Sequence, residues 1–301
     1  MDHPACHNQH VDQGELHEAA RFGMPMNEFE ELIRGAADID ALWYDRTPLF
    51  EAVMYREREI ALGLVSAGAD PWRPQMNGWS PGRLNLAGPE PDLFGPAPST
   101  VGLGAQERAA VLRASRLIDS LSDVDLDGMS IACVAGISCA EAARRLRGEP
   151  VRIDDFDAWV MDPWEAGMTE DEVLDIVGVT DVPGGCVVTQ WAGYAASAPG
   201  VMALLTAGTA GYGMYANPKS GNQGSRFSDG VQLDWDLRPG GGQAGSDDPS
   251  DEILRSYLYL HNTIAYCCDA AGLTPDDPHA FTGPPDLVLR LPVLELWPGQ
   301  S

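Results

Sequence analysis

The chain has 301 residues, enough for two ordinary domains, and 44% of them are hydrophobic, the share of a chain that buries a real core. Acidic residues outnumber basic ones 45 to 19, giving a formal net charge of -26 with Lys219 the only lysine. A field of that sign disfavours nucleic acid and anionic lipid and favours a basic partner, although solubility or the arginine-for-lysine bias of a GC-rich genome produces the same balance.

No apolar run approaches the roughly 20 residues of a membrane span, and the first residues lack the basic-then-apolar layout of a signal peptide. A cytoplasmic protein without membrane association is therefore expected. Six cysteines, at positions 6, 133, 139, 186, 267 and 268, form no CxxC pair and are expected to be reduced thiols, several facing the core.

Residues 1–13 read as a flexible tail. His3, Cys6, His7 and His10 would present zinc-type ligands at i and i+4 on a helix, whereas Pro4 and the polar content favour a frayed end. No cofactor is expected.

From residue 14 to 88 the chain repeats itself. ELHEAARFG (15–23) aligns with PLFEAVMYR (48–56), placing Leu16 on Leu49, Glu18 on Glu51 and Ala19 on Ala52 at an offset of 33. GAADIDA (35–41) aligns with AGADPWR (67–73), and Ser80-Pro81 follows Thr47-Pro48 at the same distance as before. Thr47 caps a helix and Pro48 stands where a missing N–H costs nothing. Leu49, Ala52 and Val53 give an apolar face at helical spacing; Ile60, Leu62, Leu64 and Val65 fill a second helix that Gly68 ends. The period, the Thr-Pro-Leu start and the Gly-Ala-Asp turn resemble the ankyrin repeat. Two units and a third, in which Gly82-Arg83-Leu84 replaces the pattern's Leu-His, are expected.

The resemblance implies protein binding through turn tips and the first helices of each pair. Carried over by position, that surface comprises Trp43, Tyr44 and Arg46 at one turn, Trp72, Arg73, Asn77 and Trp79 at the next, and Met54 and Tyr55 on a helix. Trp, Tyr and Arg are the residues of binding hot spots; Trp43 and Trp79 can equally pack beneath the turns. So short a stack needs a cap. Residues 89–104, rich in Pro and Gly, read as a linker, and the helix AQERAAVLRASRLIDSL after it could dock back as that cap.

Residues 105–301 read as an α+β domain with a mostly antiparallel sheet and helices on one face. Strands are expected at MSIACVAG, CVVTQWAG, TAGYGMYAN, GSRFSDG and VQLDWDL, the last two joined at Ser228-Asp229-Gly230. Helices are expected at SCAEAARRLRG, at APGVMALLTAG and, as one long element, from about 250 to 270. The segments CVAGISCAEAARRLRG, GGCVVTQWAGYAASAPGVMALLTAGTAGYGMYAN, SRFSDGVQLDWDLRPGGG and SDDP resemble an uncharacterised domain family common in actinobacteria. Gly185-Cys186 stands where that pattern has Gly-Trp. The resemblance implies an architecture and no activity.

Few residues point to chemistry. Ser138, in Gly136-Ile137-Ser138-Cys139-Ala140, is placed like the serine of a nucleophile elbow, with His261 or His279 as base, but Ser138 and Glu141 also have the spacing of a capping box. Asp154, Asp155, Asp157, Glu170, Asp171 and Glu172 belong to an acidic run that is either a solvated face or a surface for a basic partner. Thr169 with Glu172 also has capping-box spacing, and Asp234-Trp235-Asp236 puts two carboxylates on one side of a strand.

The expectation is thus an α+β chain with a short ankyrin stack of two to three units, acting as a protein-binding, non-enzymatic protein. A bacterial immunity-type protein that neutralises its partner fits the size, acidity and repeats. The alternative is an enzyme with its site in a cleft of the α+β domain, built on Ser138 or His261.

Overall fold

A computed structural model describes residues 5–121, 124, 128–161, 169, 173–241 and 244–298, without the side chains of 5–13, 157 and 161. In chain order the helices are α1 (Ala5–Phe22), α2 (Met26–Gly35), α3 (Pro48–Met54), α4 (Arg58–Ser66), α5 (Pro81–Asn85) and α6 (Ala105–Ser120). They continue as α7 (Cys139–Leu146), α8 (Phe156–Met161), α9 (Pro199–Leu205), α10 (Ser250–Leu258), α11 (Thr263–Ala271) and α12 (His279–Thr282). The strands are β1 (Ser130–Ala135), β2 (Glu149–Pro150), β3 (Ile176–Val182), β4 (Gly185–Gln190), β5 (Ala210–Asn217), β6 (Gly221–Ser228), β7 (Val231–Asp236) and β8 (Leu287–Arg290). Among the described residues no helix is long and apolar enough to cross a membrane.

The chain forms two compact units, Met1–Arg113 with Gly242–Leu260, and Ala114–Gly241 with His261–Ser301. The first is helical. Its α1 begins at Ala5, within the stretch expected as a tail. Thr47 Oγ1 accepts the Phe50 amide at 3.2 Å and Ser80 Oγ accepts that of Arg83 at 3.1 Å, each followed by proline at the first helical position. The apolar faces read from the repeat meet: α1 packs on α3, α2 on α4 and α3 on α5, burying Leu49, Phe50, Val53, Ile60 and Leu64.

Gly82, second residue of the short helix α5, has a steric reason. A Cβ there would lie 2.6 Å from ring carbons of Trp72, so the indole rests where the pattern would have leucine. Cover for this end comes from far downstream. Arg56 donates to the Tyr257 and Leu258 carbonyls, both at 3.1 Å, and Trp79 Nε1 to that of Ser250 at 2.9 Å, while α10 buries Ile253, Leu254, Tyr257 and Leu258. Part of the expected 105–301 domain therefore belongs to the helical unit.

The second unit is built on one eight-stranded sheet of order β2-β8-β3-β4-β1-β5-β6-β7, every neighbour antiparallel. Helices cover both faces rather than the one expected. Gly213 of β5 faces Met202 of α9, while Tyr212, next along the strand and so on the opposite face, packs against Tyr266 of α11 with ring centroids 5.6 Å apart. The central β1 is buried on both sides, which is why it reads as a continuous apolar run and not an alternation. On the α9 face, Ala132, Val134, Val179 and Val188 join Ala142, Leu146, Met202 and Leu205 in one core.

The hairpin at Ser228-Asp229-Gly230 forms as expected, with φ of 50° and 76° at Asp229 and Gly230. The single helix expected over 250–270 does not. It breaks at Tyr259–Asn262, where His261 turns left-handed at φ 63°, and its two halves, α10 and α11, lie in different units.

Candidate functional site

The turn between α2 and α3 is a two-residue hairpin. Trp43 N donates to the Arg46 carbonyl at 2.9 Å and Arg46 N to that of Trp43 at 3.1 Å, leaving Tyr44 and Asp45 at the tip with φ of 49° and 61°. Left-handed backbone costs a non-glycine residue about 1 kcal/mol, and it is unusual for an aromatic one. The surroundings impose it. Arg46 is buried, ion-paired to Glu51 at 3.1 Å and hydrogen-bonded to the Ala244 carbonyl; its own carbonyl is met by His17 Nε2 at 3.0 Å. Trp43 lies half-buried over Gly14, its ring edge-on to Tyr44 at 5.6 Å. Tyr44 itself is 83% exposed.

Aspartates border this tip and the next. Asp38 accepts the Asp40 amide at 3.0 Å, Asp40 that of Asp70 at 3.3 Å, and Asp70 that of Trp72 at 2.8 Å. Partial burial raises the Asp40 carboxyl above its usual pKa, with the acids of Asp38 and Asp70 adding to the shift and the Asp70 amide and Arg73 opposing it. Consecutive turns thus join into one acidic ladder beside exposed or half-exposed aromatic rings.

The nine residues assigned to a binding surface divide by burial. Tyr44, Arg73 and Asn77 are exposed; Trp43, Tyr55 and Trp72 are partly so. Arg46, Met54 and Trp79 are not surface residues. Met54 and Trp79 are both 0% exposed, the Trp79 ring carrying the Arg83 guanidinium 4.0 Å from its centroid. Arg46 works from below, holding the turn's shape.

The catalytic candidates separate as well. Ser138 Oγ accepts the Glu141 amide at 3.4 Å as the cap of α7. The box is only half closed, because Glu141 turns to Arg144 and Arg145 instead, at 2.6 and 2.7 Å, which hold its carboxyl down at a pKa of about 2. His261 and His279 are exposed, and no hydrogen bond joins either to Ser138 among the described residues.

Cys139, Asp181 and Asp286 bring three potential ligand atoms within 4.8 Å of one another. Their arrangement has a local account: Asp181 accepts the Cys139 amide at 2.6 Å, Asp286 accepts the Asp181 amide at 2.8 Å, and the thiol, its pKa pushed up by burial and then by the acids, lies 3.7 Å from Asp286. The pair Asp234 and Asp236 is likewise engaged, with Arg226 at 2.6 Å and the Tyr212 hydroxyl at 2.8 Å.

In the acidic run, Asp154 pairs with Arg152 at 2.9 Å and Asp155 caps α8 through the Ala158 amide at 3.0 Å. Glu170, Asp171, Glu172 and the Asp157 side chain lie outside the described residues, as do His3 and the side chains of Cys6, His7 and His10. The other five cysteines are free and buried. No protein-family model matches the chain, and no curated protein is similar to it.

Proposed function

We propose that the chain is a cytoplasmic protein-binding protein whose first unit is a short ankyrin-type stack of two to three repeats, holding a basic protein partner at its turn tips. The observation that carries this reading is Tyr44: a large aromatic side chain, 83% exposed, on a left-handed backbone that a buried arginine beneath it fixes in place. Strain kept at an exposed aromatic residue is understandable where the ring must be presented ready-made, since a rigid ring loses little entropy on binding. The aspartate ladder beside it supplies the charge that a basic surface would meet, and the buried thiols suit a reducing compartment. Capture and neutralisation of that partner is the role in best agreement with the acidity of the whole chain.

The test is affinity capture from the native host's lysate at low and high salt, with the Tyr44→Ala/Trp72→Ala double variant beside the wild type. A single stoichiometric partner that is lost in the variant and weakened by salt supports the reading. Equal capture by both proteins contradicts it.

A further inference from the structure

The outer strands of the sheet carry a second feature, independent of the helical unit. Register sets Gly213 of β5 opposite Ser225 of β6, and Ser225 opposite Trp235 of β7, so one row across three strands runs from no side chain to the largest. The next row pairs Tyr215 with Gln223. Tyr194, from the turn before Ala195–Ser197, packs on Tyr215 and on Trp297, both at 6.2 Å between centroids. The result is a cleft of about 210 Å³ with a low floor of glycine and serine, the Tyr194 cluster as one wall and Trp235, across the strands, as the other.

Its lining has aromatic faces and neutral polar groups, and no charged side chain, in a protein of net charge -26. An anionic ligand would find no cation there and a repelling field outside. The polar groups have capacity to spare. Ser225 is only 3% exposed as a residue and lines the cleft, with no side-chain hydrogen bond to another described residue. Gln223 donates through Nε2 to Ser220 at 2.9 Å, which leaves its carbonyl oxygen, and Asn217 accepts from Lys219 N at 2.9 Å, which leaves its NH2. A hydroxyl that lines a hollow without a protein partner suits a ligand group that both donates and accepts.

We infer that this cleft binds a neutral sugar ring, its C–H face against Trp235 and its hydroxyl groups on Ser225, Gln223 and Asn217. A quaternary ammonium would use the rings but leave those three polar groups idle. The volume is below the roughly 300–1,000 Å³ of pockets that enclose drug-sized ligands, so it holds one ring, and the 55% exposure of Trp235 leaves room for a longer glycan to extend outwards.

The test is calorimetric titration and saturation-transfer NMR of the full chain with glucose, galactose, mannose, N-acetylglucosamine and their short β-1,4 and α-1,4 oligomers at millimolar concentration, with tetramethylammonium chloride as control. One of these sugars should bind saturably, about tenfold more weakly in Trp235→Ala and also in Ser225→Ala, and nearly unchanged in Trp235→Phe. Trp235 is on an exposed edge strand, so its loss leaves the fold intact, which the amide spectrum of each variant verifies. Saturation by no sugar, saturation that Trp235→Ala leaves untouched, or saturation by tetramethylammonium instead would overturn the inference.

Discussion

Two hairpin turns of the same length show how differently this chain treats left-handed backbone. At Ser228–Val231 the central residues are Asp229 and Gly230, with φ of 50° and 76°; at Trp43–Arg46 they are Tyr44 and Asp45, with φ of 49° and 61°. The first is filled by residue types that take up the conformation at little cost, and it is also tied to the loop after α9, where Asp229 accepts the Gly208 amide at 2.8 Å and donates its own amide to the Thr209 carbonyl at 2.7 Å. The second has a tyrosine where glycine or asparagine would be more stable. Beyond the two backbone hydrogen bonds that close it, Arg46, Glu51 and His17 hold it from beneath. The proposed presentation of Tyr44 rests on that strain, and the contrast can be broken experimentally.

The largest effect is expected from Arg46→Ala. It leaves Glu51 as an unpaired buried charge and releases the turn, and should lower the first unit's stability to chemical denaturation by about 3 kcal/mol while abolishing partner capture. Gly82→Ala should cost about 2 kcal/mol by overpacking, because the new methyl group meets both the Trp72 ring at 2.6 Å and the Pro71 carbonyl at 2.8 Å; a changed tryptophan emission would accompany it. The two turns should then respond with opposite sign. Tyr44→Asn is expected to stabilise by up to about 1 kcal/mol while weakening capture, and Gly230→Ala to destabilise by about the same amount. If both destabilise equally, the strain argument for Tyr44 fails.

The smallest effect concerns Glu141. Its carboxyl is depressed to about 2 by Arg144 and Arg145, so the stabilisation is complete above the ordinary carboxylate range near 4 and disappears as pH falls towards 2. A carbon-detected titration should place the Glu141 midpoint near 2, and a midpoint near 4 would show that the two arginine contacts do not persist in solution.

What the sequence made legible was local. Thr47, Ser80 and Ser138 announce helix starts because a cap acts within three residues, and Asp229-Gly230 announces a hairpin because the turn itself demands those types. The helical pairing followed from apolar spacing. The cover supplied by residues 244–258 was hidden, since it depends on meeting Arg56 and Trp79 about two hundred residues earlier along the chain for the first and somewhat fewer for the second, and no local pattern encodes that. The helix break at Tyr259–Asn262 carries neither glycine nor proline. At the candidate surface, composition alone could not separate Tyr44 from Arg46 and Trp79: hot-spot residue types are also those that anchor a turn from inside, and only burial tells which is which.

The most direct test is site-specific photocrosslinking in the native host, with p-benzoylphenylalanine in place of Tyr44 and, as control, in place of the exposed Phe22 on α1. One discrete protein adduct is expected from position 44 and none from position 22. An adduct from position 22 alone, or the same adduct from both, would contradict the proposed presentation of Tyr44.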